Sequence, residues 1–364
     1  LFVRGLLAPL SSGEALAAAA QIPDEIMGVP MKRVKDGKVY WVAAAISSFG
    51  FTVNHRRLKD YNLSAPRSWM DLASPEMGRP LVQFGTPALS IADPTQSTSH
   101  TRMYEIILQK YGWEKGWRVL TLMAANAEVY PGSEAARDAV IRGDVAVGIT
   151  IDFYGYTAMM LNPDCEYIIP PNESIVNGDP IALVKGSKNP EAAQAFIAWV
   201  LTDGQKLWLD PSINRLPANP RVFDTPEGRK REDLRRAYEA TLKTPSIAFN
   251  DTLALAYELV MQWYFRSTLV DVNDHLKAAW KALLSRYFKG AIPRERFEAY
   301  VANLTSLLTF VDPATQKKVT FTEDYAISIA PKFAEDAAYR DALITAWKQA
   351  AVAKYDGLLR ELGG

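Results

Sequence analysis

Gly178-Asp179-Pro180-Ile181-Ala182-Leu183-Val184-Lys185-Gly186-Ser187-Lys188-Asn189-Pro190-Glu191-Ala192-Ala193-Gln194-Ala195-Phe196-Ile197-Ala198-Trp199-Val200-Leu201 reads as a buried strand, a tight turn and a helix. Pro190 stands where a first helical residue belongs, after Asn189 in the cap position. Ala193, Phe196, Ile197, Val200 and Leu201 then recur at helical spacing, which predicts one apolar face.

Other segments line up with this one in a fixed order. Gly50-Phe51-Thr52-Val53-Asn54 reads as a strand. Pro66-Arg67-Ser68-Trp69-Met70-Asp71-Leu72, with Ser74-Pro75 and Gly78, reads as a turn entering a helix. Ala92-Asp93-Pro94-Thr95-Gln96-Ser97-Thr98-Ser99 is a polar loop before a helix, and Gly143-Asp144-Val145-Ala146-Val147-Gly148-Ile149 is a glycine-led strand. Taken in order from about Leu1 to Asn219, these segments resemble the extracellular solute-binding proteins of ABC importers. They are most similar to the iron-binding-protein-like branch, which includes binders of phosphonates and sugar phosphates.

That resemblance implies an α/β, two-lobe periplasmic-binding-protein-like fold of type II, with two chain crossovers. It divides the chain into residues 1–51 in lobe one, 52–180 in lobe two, a return to lobe one over 181–224, and a helical region over 225–364. The last region carries stripes Leu276, Trp280, Leu283, Leu284, Tyr287 and Phe297, Tyr300, Val301, Leu304. It is expected to pack on lobe one as a helical extension, with a final helix from about Glu335 to Leu362 interrupted or kinked near Gly357. In lobe two, Pro80–Phe84, Ala127–Tyr130 and Val145–Ile151 are expected as strands. Thr101–Tyr111 and Glu134–Arg142 are expected as helices, over a mostly parallel sheet.

Composition fits without deciding. The chain has 364 residues, enough for two lobes with a large core. Forty-one basic and 41 acidic residues cancel, so nothing favours nucleic acid or an anionic membrane surface. Cys165 is alone, which excludes an intrachain disulfide. No apolar run is long enough to span a bilayer. Phe2–Leu10 reads as the end of a helix running into a loop. The strands that normally open lobe one do not precede it, so roughly 60 to 110 further residues, with at least two strands, are expected before Leu1. Asn62, Asn172, Asn250 and Asn303 stand in Asn-x-Ser/Thr triplets and are glycosylation candidates.

No catalytic constellation is present in the sequence. His55, His100 and His275 stand in no zinc spacing, and neither a G-x-S-x-G elbow nor a P-loop occurs. The binding candidates are stronger. Ser97, Thr98 and Ser99 precede a helix, where hydroxyls and free N–H groups either hold an anion or cap the helix. Ser133, after Pro131-Gly132, poses the same choice, with Asn126 and Glu128 upstream. Asp152 and Tyr154 follow a strand, and ligands in open α/β sheets bind beyond carboxyl ends of strands. Ser47 and Ser48 at the outbound crossover and Asp179 at the return complete the set, with ordinary strand-end hydrogen bonding as the alternative.

In ferric-ion members of the resembled branch, adjacent tyrosines near this strand end bind iron. Here Gly155 separates Tyr154 from Tyr156, and no metal or other cofactor is expected. The expected partners are a small, anionic or metal-complexed solute and an ABC permease. The expected place is outside the cytoplasm, with anchoring through a segment outside this chain. A secreted hydrolase with a cleft carboxylate pair, or a surface protein with a degenerate cleft, are the alternative readings.

Overall fold

The strand Lys38–Asn54 is seventeen residues long and is buried without interruption from Val42 to Val53. Both of its faces are covered, so it reads as a continuous apolar run rather than an alternating one. In the computed structural model, which describes residues 1–26 and 28–363, this strand belongs to both lobes.

The sheet has nine strands: β1 (Leu7–Ala8), β2 (Lys32–Lys35), β3 (Lys38–Asn54), β4 (Leu89–Ala92), β5 (Ala127–Tyr130), β6 (Val147–Ile151), β7 (Cys165–Ile168), β8 (Val176–Val184) and β9 (Leu216–Pro217). Their path is β1-β8-β3-β6-β4-β5, and β2, β7 and β9 also pair with β3. The first half of β3 runs antiparallel to β8, and Phe49–Val53 runs antiparallel to β6. Lobe one therefore hands over to lobe two between Ser48 and Phe49, ahead of the expected boundary at residue 51. The return lies between Ile168 and Val176, ahead of residue 180. Among the described residues only β4 with β5 and β6 is parallel, so the expectation of a mostly parallel sheet holds for these three strands alone.

Pro180 sits inside β8 and lacks an N–H. The register shifts there, so that Asp179 faces Ala45, Pro180 faces Ala43, and Ala44 is left without a strand partner. The freed carbonyl of Ala44 accepts Nε2 of Gln205 at 2.8 Å and Nε1 of Trp208 at 2.9 Å. A buried acceptor left open would cost about 1–3 kcal/mol, which explains these two side chains.

Among the described residues, the helices of seven or more residues begin with α1 (Gly13–Ala19), α2 (Thr98–Tyr111), α3 (Trp113–Ala125), α4 (Ser133–Arg142), α5 (Asp152–Leu161) and α6 (Pro190–Leu201). Then come α7 (Glu232–Lys243), α8 (Asp251–Phe265), α9 (Asn273–Phe288), α10 (Arg294–Thr305), α11 (Glu323–Glu335) and α12 (Ala337–Glu361). The stretch 79–83 is a short helix, not the expected strand. Gly78 leads into it and Pro80 lies in its first turn, where proline is tolerated. Pro190 does open α6, but Asn189 makes no side-chain cap. The buried face of α6 also differs from the expected one. Phe196 is exposed and Gln194 is buried, its Oε1 accepting the N–H groups of Ser11 and Ser12.

Two cores result. One lies in lobe one, where α1, α6 and α7 cover the sheet through Ala15, Ile197, Leu201 and Leu234. The other joins lobe two to residues of α8 through α12. The helical extension from residue 251 onward thus packs on lobe two, not on lobe one as expected. Its partner is α3, whose buried residues run nearly all round the helix and need cover on both sides. Trp117 meets Tyr264 edge-on at 4.8 Å, and Tyr264 stacks on Phe321. Helix α12 runs unbroken through Gly357. No helix among the described residues is long and apolar enough to cross a membrane.

Candidate functional site: a polar cleft between the lobes

Two helices start at the same place. Helix α2 follows β4 and α4 follows β5, and these two strands are parallel neighbours, so their carboxyl ends deliver both helix N-termini to one edge of the sheet. Ser97 caps α2 by accepting the N–H of His100, which leaves the N–H groups of Thr98 and Ser99 without an intrahelical acceptor. At α4 the cap is Gly132, so no side chain caps its first turn. Ser133, expected as the cap, is instead the first helical residue.

Its hydroxyl goes elsewhere. Ser133 Oγ lies 2.6 Å from Ser97 Oγ and 2.8 Å from Ser99 Oγ. His100 Nδ1 approaches Ser97 Oγ at 3.0 Å and Ser133 Oγ at 3.2 Å. The imidazole is fully buried, and burial pushes its pKa down to about 3, so it is neutral. Its Nε2 has no hydrogen-bond partner among the described residues. An unmet acceptor there is less costly than an unmet N–H, which places the proton on Nδ1, facing the serines. Of the three hydroxyl protons, two close the contacts between the serines and one is left to point into the cleft.

The loop before α2 is tied down from behind. Asp93 Oδ1 accepts the N–H and hydroxyl of Thr95, and Oδ2 accepts Arg266 Nη1 at 3.0 Å. Arg266 opens a π-helical turn, Arg266–Val270, at the end of α8. Gln262 of α8 donates to Thr101 Oγ1 at 3.0 Å.

Lobe one supplies the facing wall. Asp179 accepts the Ser47 hydroxyl at 2.8 Å and pairs with Arg215 at 3.1 Å. The Arg215 guanidinium also lies over the Phe153 ring at 4.4 Å. The intervening cleft has a volume of about 580 Å³, within the usual range for small-molecule sites. Ser97, Thr98, Ser99, Ser133, Tyr154 and Asp179 all line it, so the structure brings six of the ten residues singled out by sequence to one place.

The other four lie outside the lining. Asn126 is fully buried behind the sheet. Its amide donates to the carbonyls of Leu72 and Ser74, and its Oδ1 accepts Trp280 Nε1 at 2.7 Å. Its hydrogen bonding is used up by packing. Ser47, Ser48 and Asp152 sit at the crossover beneath the cleft. Asp152 accepts the N–H groups of Ser48 and Phe153, both at 2.7 Å. Burial, and then the charge of Asp179, push its pKa up to about 7, against the pull of those N–H groups and Arg215.

Tyr154 faces the cleft beneath Arg137, 4.8 Å from its ring. Tyr156 turns the other way into the lobe-one core, edge-on to Tyr167 at 5.5 Å. The two phenols do not form a pair. Among the described residues no group of three or more His, Cys, Asp or Glu is placed to hold a metal ion. All four sequon asparagines are exposed. Sequence reading missed Arg102, Glu105, Asn177, Arg215 and Glu258, which also line the cleft. His100, directly after the hydroxyl run, carried a local signal; Arg215 and Glu258 carried none.

The cleft and the two-lobed sheet can be set beside known proteins. Residues 1–235 match the family described as bacterial extracellular solute-binding protein. The phosphoglycerate transport regulatory protein PgtC of Salmonella typhimurium is 28% identical over 289 residues, covering 78% of this chain and 66% of that protein. The chain thus spans just under two thirds of the length of that curated relative. The GacH receptor of Streptomyces glaucescens superposes with a TM-score of 0.53 at 18% identity over 79% of each chain. The substrate-binding protein PotD of a spermidine/putrescine ABC transporter from Streptococcus pneumoniae gives 0.51 at 17% identity, over 73% of this chain and 80% of that one. These two likenesses establish the fold, and the match over residues 1–235 establishes the rest: the chain belongs to the bacterial extracellular solute-binding proteins.

Proposed function

We propose that the protein captures a small anionic solute in the interlobe cleft, outside the cytoplasm, and delivers it to the permease of an ABC importer. The observation that carries the anion is the meeting of two helix N-termini with three serine hydroxyls. Free first-turn N–H groups and the helix dipoles favour negative charge at that point. Arg215 stands on the facing wall, where it shares its charge with Asp179. The fold alone would not choose a solute, since the neighbouring structures are named for a polyamine transporter and for an acarbose receptor. The name of PgtC refers to phosphoglycerate transport, which supports a phosphorylated solute. Ser97, Thr98, Ser99, Ser133, Tyr154 and Asp179 are the proposed contacts. Asp152 with Ser48 is the proposed hinge support, at the point where the lobes close around the solute.

Native mass spectrometry of gently purified protein tests this directly, together with thermal melts in inorganic phosphate. A retained anionic mass, and a melting temperature that rises with phosphate concentration, are expected. A melting temperature unmoved by phosphate, phosphonate and small carboxylates overturns the anion reading. Turnover on a panel of glycosides and other hydrolase substrates would favour the hydrolase with a cleft carboxylate pair instead.

A further inference from the structure

We infer that Glu105 and Glu258 form a second recognition subsite at the far end of the same cleft, one that takes neutral hydroxyl groups, so that the solute is an elongated, hydroxylated anion. This rests on the anion reading for which end of the cleft holds the charge.

Glu105 lies on α2 seven residues after Thr98. Two helical turns place it on the same face, about 10 Å along the axis from the serine cluster. It is fully buried and lines the cleft. Neither carboxyl oxygen has a hydrogen-bond partner among the described residues. Arg102 Nη1 stands 3.2 Å from Oε2 but is not aligned to donate, and it also pairs with Asp251 at 3.1 Å. Buried carboxyl oxygens in folded proteins are almost always satisfied; once the carboxyl is protonated, a proton shared with Glu258 serves one of these two and leaves the other open to a ligand. The C-terminal helix α8 brings Glu258 to the same part of the cleft.

The chemistry of this end selects its guest. Burial above all, then the charge of Glu258 and a hydrogen bond with it, hold the Glu105 carboxyl well above the usual carboxylate range, against Arg102. Near neutral pH it keeps its proton. With Glu258 it then offers one O–H donor beside several acceptors, which matches an alcohol, itself donor and acceptor. An ammonium would call for an ionised pair, which burial opposes. A second anionic group would meet Glu258. The solute's charge thus belongs at the serines and its hydroxyls at the glutamates.

The test uses the whole chain and calorimetry with inorganic phosphate and mannitol 1-phosphate, with neutral mannitol as a control. The readout is the ratio of the affinities for the two phosphates in the wild type, Glu105→Gln and Glu258→Ala. Glu258 is only partly buried, so its variant keeps the test alive if Glu105→Gln folds poorly. The ratio is expected to fall at least fivefold in each folded variant, about what one net hydrogen bond supplies. A smaller fall overturns the subsite, as does a wild type that binds mannitol 1-phosphate no more tightly than phosphate. If neutral mannitol binds the wild type as tightly as mannitol 1-phosphate while phosphate does not bind, and Glu258→Ala weakens mannitol at least fivefold, the anion reading falls and the subsite stands.

Discussion

Ser97 Oγ and Ser133 Oγ lie 2.6 Å apart across 36 positions of sequence, joining the start of α2 to the start of α4. Each hydroxyl has one proton. Two serines and a buried imidazole at this spacing leave at least one hydroxyl proton free to meet an incoming acceptor.

Replacing Ser99 and Ser133 together by Ala is therefore expected to weaken inorganic phosphate binding. Each hydrogen bond to a charged group contributes on the order of 1.5–3 kcal/mol. Calorimetry showing unchanged phosphate affinity in the double variant would remove the serine cluster from the site.

His100 sets a pH dependence of stability. Its folded pKa of about 3 lies below the ordinary value of 6.5, so between those values the unfolded chain binds more protons. Stability from this group is complete above pH 6.5 and falls as the pH drops toward 3, by at most about 1.4 kcal/mol per unit. Urea melts of wild type and His100→Gln between pH 7 and 4 should converge on acidification. Parallel curves would show that the imidazole is not buried neutral.

Asp152 acts in the opposite sense. Its pKa is raised from 3.8 to about 7, so the folded state holds the extra proton. Its contribution is full below pH 3.8 and is lost as the pH rises through 7. Asp152→Asn removes the charge and keeps one acceptor oxygen, so one of the two N–H groups, of Ser48 or Phe153, loses its partner at every pH and only the slope with pH is compared. The variant should be less sensitive than wild type to a rise from pH 5 to 8, and equal slopes in both proteins would count against a buried neutral carboxyl.

Arg266 lies outside the cleft lining, yet it holds Asp93 and so the loop that carries Ser97. Arg266→Ala is expected to cost about 1–3 kcal/mol of stability, since Asp93 is left buried without its cation. Phosphate affinity should drop as well. A variant equal to wild type in both melting and binding would show that the loop stands without its clasp.

Gly50 tests the crossover. A Cβ there would sit 2.1 Å from the carbonyl oxygen of Ile168, a backbone atom that cannot swing aside. Gly50→Ala should destabilise by about 1–3 kcal/mol or more, measured by thermal or urea melts. A neutral effect would mean that β3 and β7 separate readily at this point.

The parts legible in the sequence were those with a local signature. Ala127–Tyr130 is a strand with the expected ends, the stripes of α9 and α10 are core, and Ser97 caps α2 through the signal that marks helix starts. The errors came where one dimension holds no period. Asn126 looked like a cleft residue because it precedes β5, and only its bond to Trp280, 154 positions away, shows that it is packing. Pro80–Phe84 is too short for periodicity to separate helix from strand. The extension's choice of lobe two follows from the all-round burial of α3, a property of its surroundings. Arg215 reaches the cleft because β9 pairs with Ile46 and Ala45, and no neighbour in sequence announces it.

The clasp of Asp93 by Arg266, with Gln262 on Thr101, bears on when disorder is removed. A loop with free N–H groups at its end would normally be mobile until a solute arrived, and affinity would be reduced by the freedom lost at that moment. Here the C-terminal helices impose that order during folding, before any solute is met. Gln262 and Arg266, remote in sequence from every serine of the cluster, thus bear on the entropy of capture, and variation at these two positions would tune affinity with no change to a single contacting side chain.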